Sequence, residues 1–324
     1  MRVHLDAVQR SYHVRRRPET GSRLTRLVRR ERSEVEALRG IDLRIEPGES
    51  VGYIGLNGAG KSTTMKLVSG ILAPTAGRVT VDGRDPHRER RALSADLGYL
   101  AAQRASLWWD LPVKDSYELI RRVYGIEPAL FRRRREELVA RLDIGKHLNT
   151  PVRELSLGNR TRAELVGTLL HAPRLLLLDE PTIGLDIFAR EAICGLLKDI
   201  RETSAPTIVM ASHDLRDVEA VCDRIVMIDA GRLVHDGKIA ELRGLGGGTR
   251  RLVVHHAEGH VLPSAPGLVP VRTAARTVTT FEYAQGDLPP EILSALFSDP
   301  LVDDVQLEAP SLEQLIKTLY RKAG

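Results

Sequence analysis

The chain has 324 residues, of which 42% are hydrophobic and 28% charged, and its 48 basic against 43 acidic side chains give a formal net charge of +5. That length can bury a substantial core and hold one large domain plus a smaller one. No run approaches about eighteen apolar residues and no secretory leader opens the sequence, which predicts a soluble cytosolic protein that leaves any membrane crossing to a partner.

The opening segment reads as a strand ending at Tyr12. A basic stretch follows, with RRR at residues 15–17 and further arginines over 23–32, before an apolar pattern returns in EALRGIDLRI. This insertion, about residues 13–34, fits either a solvated loop or a contact with anionic headgroups or an acidic partner surface, where each basic side chain gains about 1 kcal/mol. It has no interleaved aromatics, which argues against nucleic acid.

SVGYI at residues 50–54 is short and apolar, GLNGAGKST spans residues 55–63, and TMKLVSGIL continues with helical spacing. Strand, glycine loop and helix are the context that G-x-x-x-x-G-K-[ST] requires, with Gly55, Gly60, Lys61 and Ser62 in place and Gly58 in addition. Glycines let backbone N–H groups approach phosphate oxygens with no Cβ in the way, and the helix start at Gly60 and Lys61 turns a positive dipole end toward the anion. Asn57, Ala59 and Thr63 complete the expected cradle. Lys61 is expected to reach the β and γ phosphates and the Ser62 hydroxyl to ligate Mg²⁺.

A short apolar strand at residues 97–100 precedes Gln103 and then LWWDLP, which holds both tryptophans, Trp108 and Trp109. They fit either core anchors or the wall of a groove for a partner helix. Residues 116–124 and 130–142 carry apolar side chains at helical spacing, predicting a helical subdomain over about residues 104–165 inserted into a sheet domain. LSLGNRTRAEL then starts a helix at Ser156 and Gly158.

Residues 175–178 are continuously apolar, as in a parallel strand buried on both faces, and the run ends at Asp179 and Glu180. A carboxylate at the carboxyl end of a central strand stands beside the phosphate loop, so Asp179 is expected at the Mg²⁺ and Glu180 as the base for an attacking water. TIGLD follows. The apolar strand at residues 207–210 leads to His213, placed to bond the γ phosphate and hold that water. Cys194 and Cys222 lie in helical patterns without ligand spacing and read as reduced packing thiols.

Glycines at 244 and 246–248 mark a linker. Beyond it, residues 251–255, 278–283 and 302–307 read as strands, residues 290–297 as a helix, and Ser311 as the cap of a closing helix through Leu319. His255, His256 and His260 have no carboxylate or thiol partner at metal-ligand spacing. The expected division is a first domain over residues 1–245 and a small α+β accessory domain over residues 246–324 that serves dimer contacts or regulation.

Taken together, these residues resemble the nucleotide-binding subunits of ATP-binding cassette (ABC) transporters. GLNGAGKST resembles the family's Walker A, Gln103 its Q-loop, LSLGN its signature, LLLLDE its Walker B, GLD at 184–186 its D-loop and His213 its switch histidine. LWWDLP near Gln103, with LSLGNRTRAEL and DEPTIGLD, resembles the ABC-2 export group. The resemblance implies a P-loop NTPase α/β fold, with a mixed sheet core and an inserted helical subdomain, and ATP with Mg²⁺ as ligands. It further implies a Tyr12 that stacks on adenine, a Gln103 that acts at the metal and in catalysis, and a separately encoded membrane permease at the cytoplasmic face. Two chains, expected to be identical, would sandwich ATP between the Walker A of one and Ser156 and Gly158 of the other, with Asp186 nearby. The signature departs from LSGGQ at Leu157 and Asn159. A non-transport ATPase acting on ribosomes or nucleic acid is the alternative, against which stand the single cassette and the lack of a coiled coil; a P-loop kinase or GTPase would have no use for LSLGN.

Overall fold

The computed structural model describes residues 1–16, 31–101, 106–245, 249–262, 268–275, 277–284, 288–308, 312 and 315–316. The Gln103 assignment lies outside the described residues, as do residues 17–30 of the basic insertion, the linker glycines 246–248 and most of the closing helix expected over 311–319. The chain divides into two compact units, Met1–Gly237 and Lys238–Gly324. The linker glycines predict the division later, at residue 245.

In chain order the first unit contains β1 (Val3–Arg16), β2 (Glu31–Ile45), β3 (Ser50–Ile54), α1 (Lys61–Val68), β4 (Ala76–Val81), α2 (Arg90–Leu93) and β5 (Leu97–Leu100). There follow α3 (Val113–Val123), α4 (Pro128–Arg141), α5 (Leu157–Leu169), β6 (Leu175–Asp179), α6 (Ile187–Ser204), β7 (Thr207–Ser212), α7 (Leu215–Val221), β8 (Arg224–Asp229) and β9 (Arg232–Lys238). Six strands form one sheet in the order β5-β6-β7-β3-β8-β9, with β5, β6, β7, β3 and β8 parallel. Their residues are apolar without alternation because both faces are covered: every residue of β3, β6 and β7 is buried. Leu175, Leu176, Leu177 and Leu178 are wholly inaccessible, and each such side chain stabilises the fold by about 1.5–3 kcal/mol.

A second, antiparallel sheet in the order β2-β1-β4 lies against this one. Leu5, Leu38, Val51, Tyr53, Leu175, Val209 and Val226 belong to a single core that joins strands of both sheets. Tyr53 is buried within it with its hydroxyl 3.2 Å from Thr64 Oγ1, and burial pushes its pKa up to about 12. β1 does not end at Tyr12. It runs on to Arg16, pairing from Tyr12 with Val35 to Arg16 with Glu31, so residues 13–16 and 31–34 are strand where a loop insertion was expected.

Between β5 and β6 lie α3, α4 and α5. Val113, Ser116, Tyr117 and Ile120 bury one stripe of α3 at helical spacing. α4 begins with Pro128 at its first position, and the Glu127 carboxylate accepts from the Ala129 and Leu130 amides at 2.8 and 2.7 Å. Trp108 and Trp109 are about half exposed, which removes the core-anchor reading. Trp109 lies 5.4 Å under the Arg160 guanidinium, and Trp108 lines a recess with Tyr124, His171 and Tyr99.

The second unit comprises α8 (Ile239–Leu245), β10 (Thr249–His256), β11 (Val269–Ala275), β12 (Val278–Ala284), α9 (Pro290–Ser298) and β13 (Val302–Glu308). Its strands form an antiparallel sheet in the order β11-β12-β10-β13. Leu252, Val254, Phe281 and Tyr283 of the sheet and Ile292 and Leu296 of α9 make a core of its own. The buried His256 ring bonds Ala257 O and Thr279 Oγ1, and His260 Nε2 lies 2.8 Å from Asp299 Oδ2. Among the described residues no helix is long and apolar enough to cross a membrane.

Candidate functional site

Residues 55–60 turn the chain from the end of β3 into α1. Gly60 is the N-cap of α1 at φ 114°, a conformation that L side chains rarely adopt, and a Cβ there would stand 2.7 Å from Ala37 O. No side chain caps α1, so the first-turn amides and the positive dipole end remain available to an anion. Leu56, Asn57 and Gly58 are exposed at the rim, and Ala59 is buried beneath it. Lys61 is buried, with Nζ donating to Gly55 O at 2.7 Å. The ammonium thus lies against the loop it is expected to serve.

The end of β6 meets the start of α1. Ser62 Oγ donates to Asp179 Oδ1 at 3.1 Å. Burial raises the Asp179 pKa, and the Ser62 hydrogen bond only partly opposes it. A hydroxyl and a buried carboxylate side by side are hard oxygen donors of the kind a divalent cation takes while keeping most of its water. Glu180 follows at φ 54°, its amide donating to Ala211 O on β7 at 2.8 Å. A non-glycine residue in that region costs of order 1–3 kcal/mol and persists where its surroundings fix it. The Glu180 carboxylate receives two basic groups: Lys61 Nζ lies 3.8 Å from Oε1 and His213 Nδ1 2.7 Å from Oε2. With Glu180 ionised, that hydrogen bond places a proton on His213 Nδ1.

Thus Lys61, Ser62, Asp179, Glu180 and His213, drawn from three places in the sequence, form one constellation where α1, β6 and β7 meet. Tyr12 is brought to its edge, its hydroxyl 3.5 Å from Thr63 Oγ1 and its ring 4.9 Å from the Arg10 guanidinium carbon. Ser156, Gly158 and Asp186 make a second cluster. Ser156 caps α5, its hydroxyl accepting from the Asn159 amide at 3.3 Å, and Asp186 caps α6, accepting from the Ala189 amide at 2.8 Å. The two helix starts touch: a Cβ on Gly184 would meet Leu157 Cδ2 at 2.8 Å, and one on Gly158 would stand 3.9 Å from Leu185 Cδ2. The signature-like leucine therefore packs over the GLD turn of its own chain.

Sequence reasoning missed a polar network behind Glu180 and His213. It joins Thr182, Arg190, Asp214 and Asp217. The one local signal was Asp214, a cap residue before the helix LRDVEAV, whose side chain accepts from the Arg216 amide at 3.0 Å.

The family model for ABC transporters matches residues 38–183. The ABC transporter ATP-binding protein NatA of Bacillus subtilis is 32% identical over 208 residues, covering 64% of this chain and 84% of that protein. The daunorubicin resistance ATP-binding protein DrrA3 of Streptomyces coeruleorubidus is 35% identical over 236 residues, covering 73% and 74%. A dimeric ATP-binding cassette, solved in a post-hydrolysis state with ADP and phosphate, superposes with a TM-score of 0.62 at 25% identity, over 73% of this chain and 98% of its own. With the phosphate loop, the carboxylate pair and the histidine in one constellation on this fold, the chain belongs to the ATP-binding proteins of ABC transporters and is an ATPase of that family.

Proposed function

We propose that the chain is the ATP-hydrolysing subunit of an ABC-2 type exporter, acting as a homodimer at the cytoplasmic face of the membrane through a separately encoded permease. The observation that carries the chemistry is the pair of contacts at Glu180, with Lys61 on one oxygen and His213 on the other. Held on both oxygens, the carboxylate is oriented beside the phosphate loop, as a general base must be.

In this reading Lys61 and the amides at Gly58, Ala59 and Gly60 hold the phosphates of ATP, Tyr12 lies under adenine, and His213 fixes the orientation of Glu180. Glu180 takes a proton from water, whose oxygen forms the bond to the γ phosphorus as the bond to the bridging oxygen breaks and ADP departs. Ser62 and Asp179, with Gln103, would hold Mg²⁺, which when bound neutralises charge on the β and γ phosphate oxygens. Ser156, Gly158 and Asp186 serve the ATP of the facing chain, so ATP stabilises the closed dimer and hydrolysis releases it. The half-exposed Trp108 lines a recess suited to a permease helix. The second unit, whose sequence holds no catalytic motif, supports dimer contacts or regulation.

Relatives named for daunorubicin resistance, linearmycin resistance and Nod factor export favour export. Methionine import proteins also match, so the direction rests further on LWWDLP and LSLGNRTRAEL. Glu180→Gln should bind ATP and accumulate as a dimer while turning over about 10²- to 10⁴-fold more slowly. Sedimentation and phosphate release on the purified protein test this; near wild-type turnover would remove Glu180 from its role.

A further inference from the structure

Glu180 and His213 stand on loops leaving the neighbouring strands β6 and β7. Their mutual hydrogen bond is a single contact, His213 is 56% exposed, and Glu180 is held at φ 54°. The Glu180 amide is tied to Ala211 O at the end of β7, and further contacts behind the pair add to that alignment.

Thr182, two residues beyond Glu180, donates its hydroxyl to Asp217 Oδ2. Asp214, the residue after His213, pairs with Arg190 Nη2 at 2.5 Å. Arg190 Nε donates to Asp217 Oδ1, which also receives the Cys194 thiol at 3.5 Å. The Asp217 side chain is 2% exposed, so Arg190 is the cation that compensates a buried carboxylate. For Asp214, burial pushes the carboxyl up, but Arg190 and Arg216 outweigh it and hold its pKa at about 2. The loop after Glu180 thus reaches Asp217 through Thr182, and Asp217 and Asp214, both on the His213 side, share one guanidinium in the first turn of α6.

We infer that Arg190 is a positioning residue for hydrolysis, a clamp that holds the Glu180 and His213 loops in mutual register through Thr182, Asp214 and Asp217. This rests on the assignment of Glu180 as the base. Arg190 touches neither reacting group, and it acts through geometry. Its planar fork reaches Asp214 and Asp217 at once, which the point charge of lysine cannot do.

The test compares wild type, Arg190→Lys, Thr182→Val, Glu180→Gln and the Glu180→Gln/Arg190→Lys double variant in full-length protein, with kcat and KM for ATP, the thermal midpoint and single-turnover rates. Arg190→Lys should lower kcat about 10- to 100-fold, as a small misplacement of a base does, with KM close to wild type and a lowered midpoint, because lysine leaves one of the two carboxylates without its cation. Thr182→Val, which keeps the buried ion pair, should lower kcat in the same direction. In the Glu180→Gln background Arg190→Lys should leave the residual rate unchanged, because the group it positions is gone. Wild-type kcat in Arg190→Lys or in Thr182→Val, a loss of kcat matched by a raised KM, or the same factor lost in both backgrounds overturns the clamp. Wild-type turnover in Glu180→Gln alone overturns the base assignment, and the clamp with it, and is read independently of Arg190.

Discussion

Asp179 shows at a single residue how the site opposes the fold. Burial raises its pKa, so between the unfolded and folded values the native state binds the extra proton, and stability falls as pH rises through that window. At neutral pH the charged form is therefore a stability cost carried by the nucleotide-free protein. Asp179→Asn, which keeps an oxygen for the Ser62 hydroxyl, should raise the thermal midpoint without nucleotide while abolishing metal-dependent turnover. A midpoint that falls would show that the ionised carboxylate is already well compensated in the fold. The residues of this constellation were legible in the sequence because chemistry fixes their identity at short spacing: the loop needs its glycines and lysine together, and the carboxylates must end an apolar strand. Arg190 was not legible. Its partner Asp217 is 27 residues away, and an arginine in the first turn of a helix looks like any solvated charge until α6 and α7 are placed side by side.

Among the elements, α7 depends on a glycine in the strand it covers. A Cβ on Gly52 of β3 would overlap Val218 Cγ1, so α7 can lie close to the sheet only because that position has no side chain. Val218 is next to Asp217, and α7 begins two residues after His213. Gly52→Ala should therefore destabilise the protein by about 1–3 kcal/mol, read from urea unfolding, and lower turnover by tilting α7 away from Arg190. Unchanged stability would mean that α7 shifts freely. The buried strands were readable as unbroken apolar runs and α3 and α4 as stripes at helical spacing. Two elements in the second unit escaped notice for opposite reasons. β11 contains Pro270, which argues against a strand, but it lies at the edge of the order β11-β12-β10-β13, where a missing N–H is tolerated. α8 is followed by glycines, and Gly244 within it read as linker. The extension of β1 past Tyr12 was hidden because its strand pattern is set by pairing with β2 and not by alternation in HVRR.

At the scale of the whole molecule, the two compact units carry separate cores: Leu5, Tyr53, Leu177 and Val226 in the first, and Leu252, Phe281 and Leu296 in the second. The phosphate loop, the carboxylate pair, His213 and the Ser156 helix start all belong to the first unit. A ligand that binds only the native form of one unit stabilises that unit alone, by about 2.7 kcal/mol at a hundredfold excess over Kd. Calorimetry of the full chain should therefore show two transitions, and ATP added to Glu180→Gln should raise only one of them. If two copies close on ATP as proposed, that same transition should also move upward with protein concentration when ATP is present. If instead a single transition shifts as a whole, the two units unfold as one cooperative block, and the accessory unit shares directly in the free energy of nucleotide binding. The calorimetric outcome thus decides whether residues beyond 238 are a passenger on the ATPase cycle or a part of its energetics.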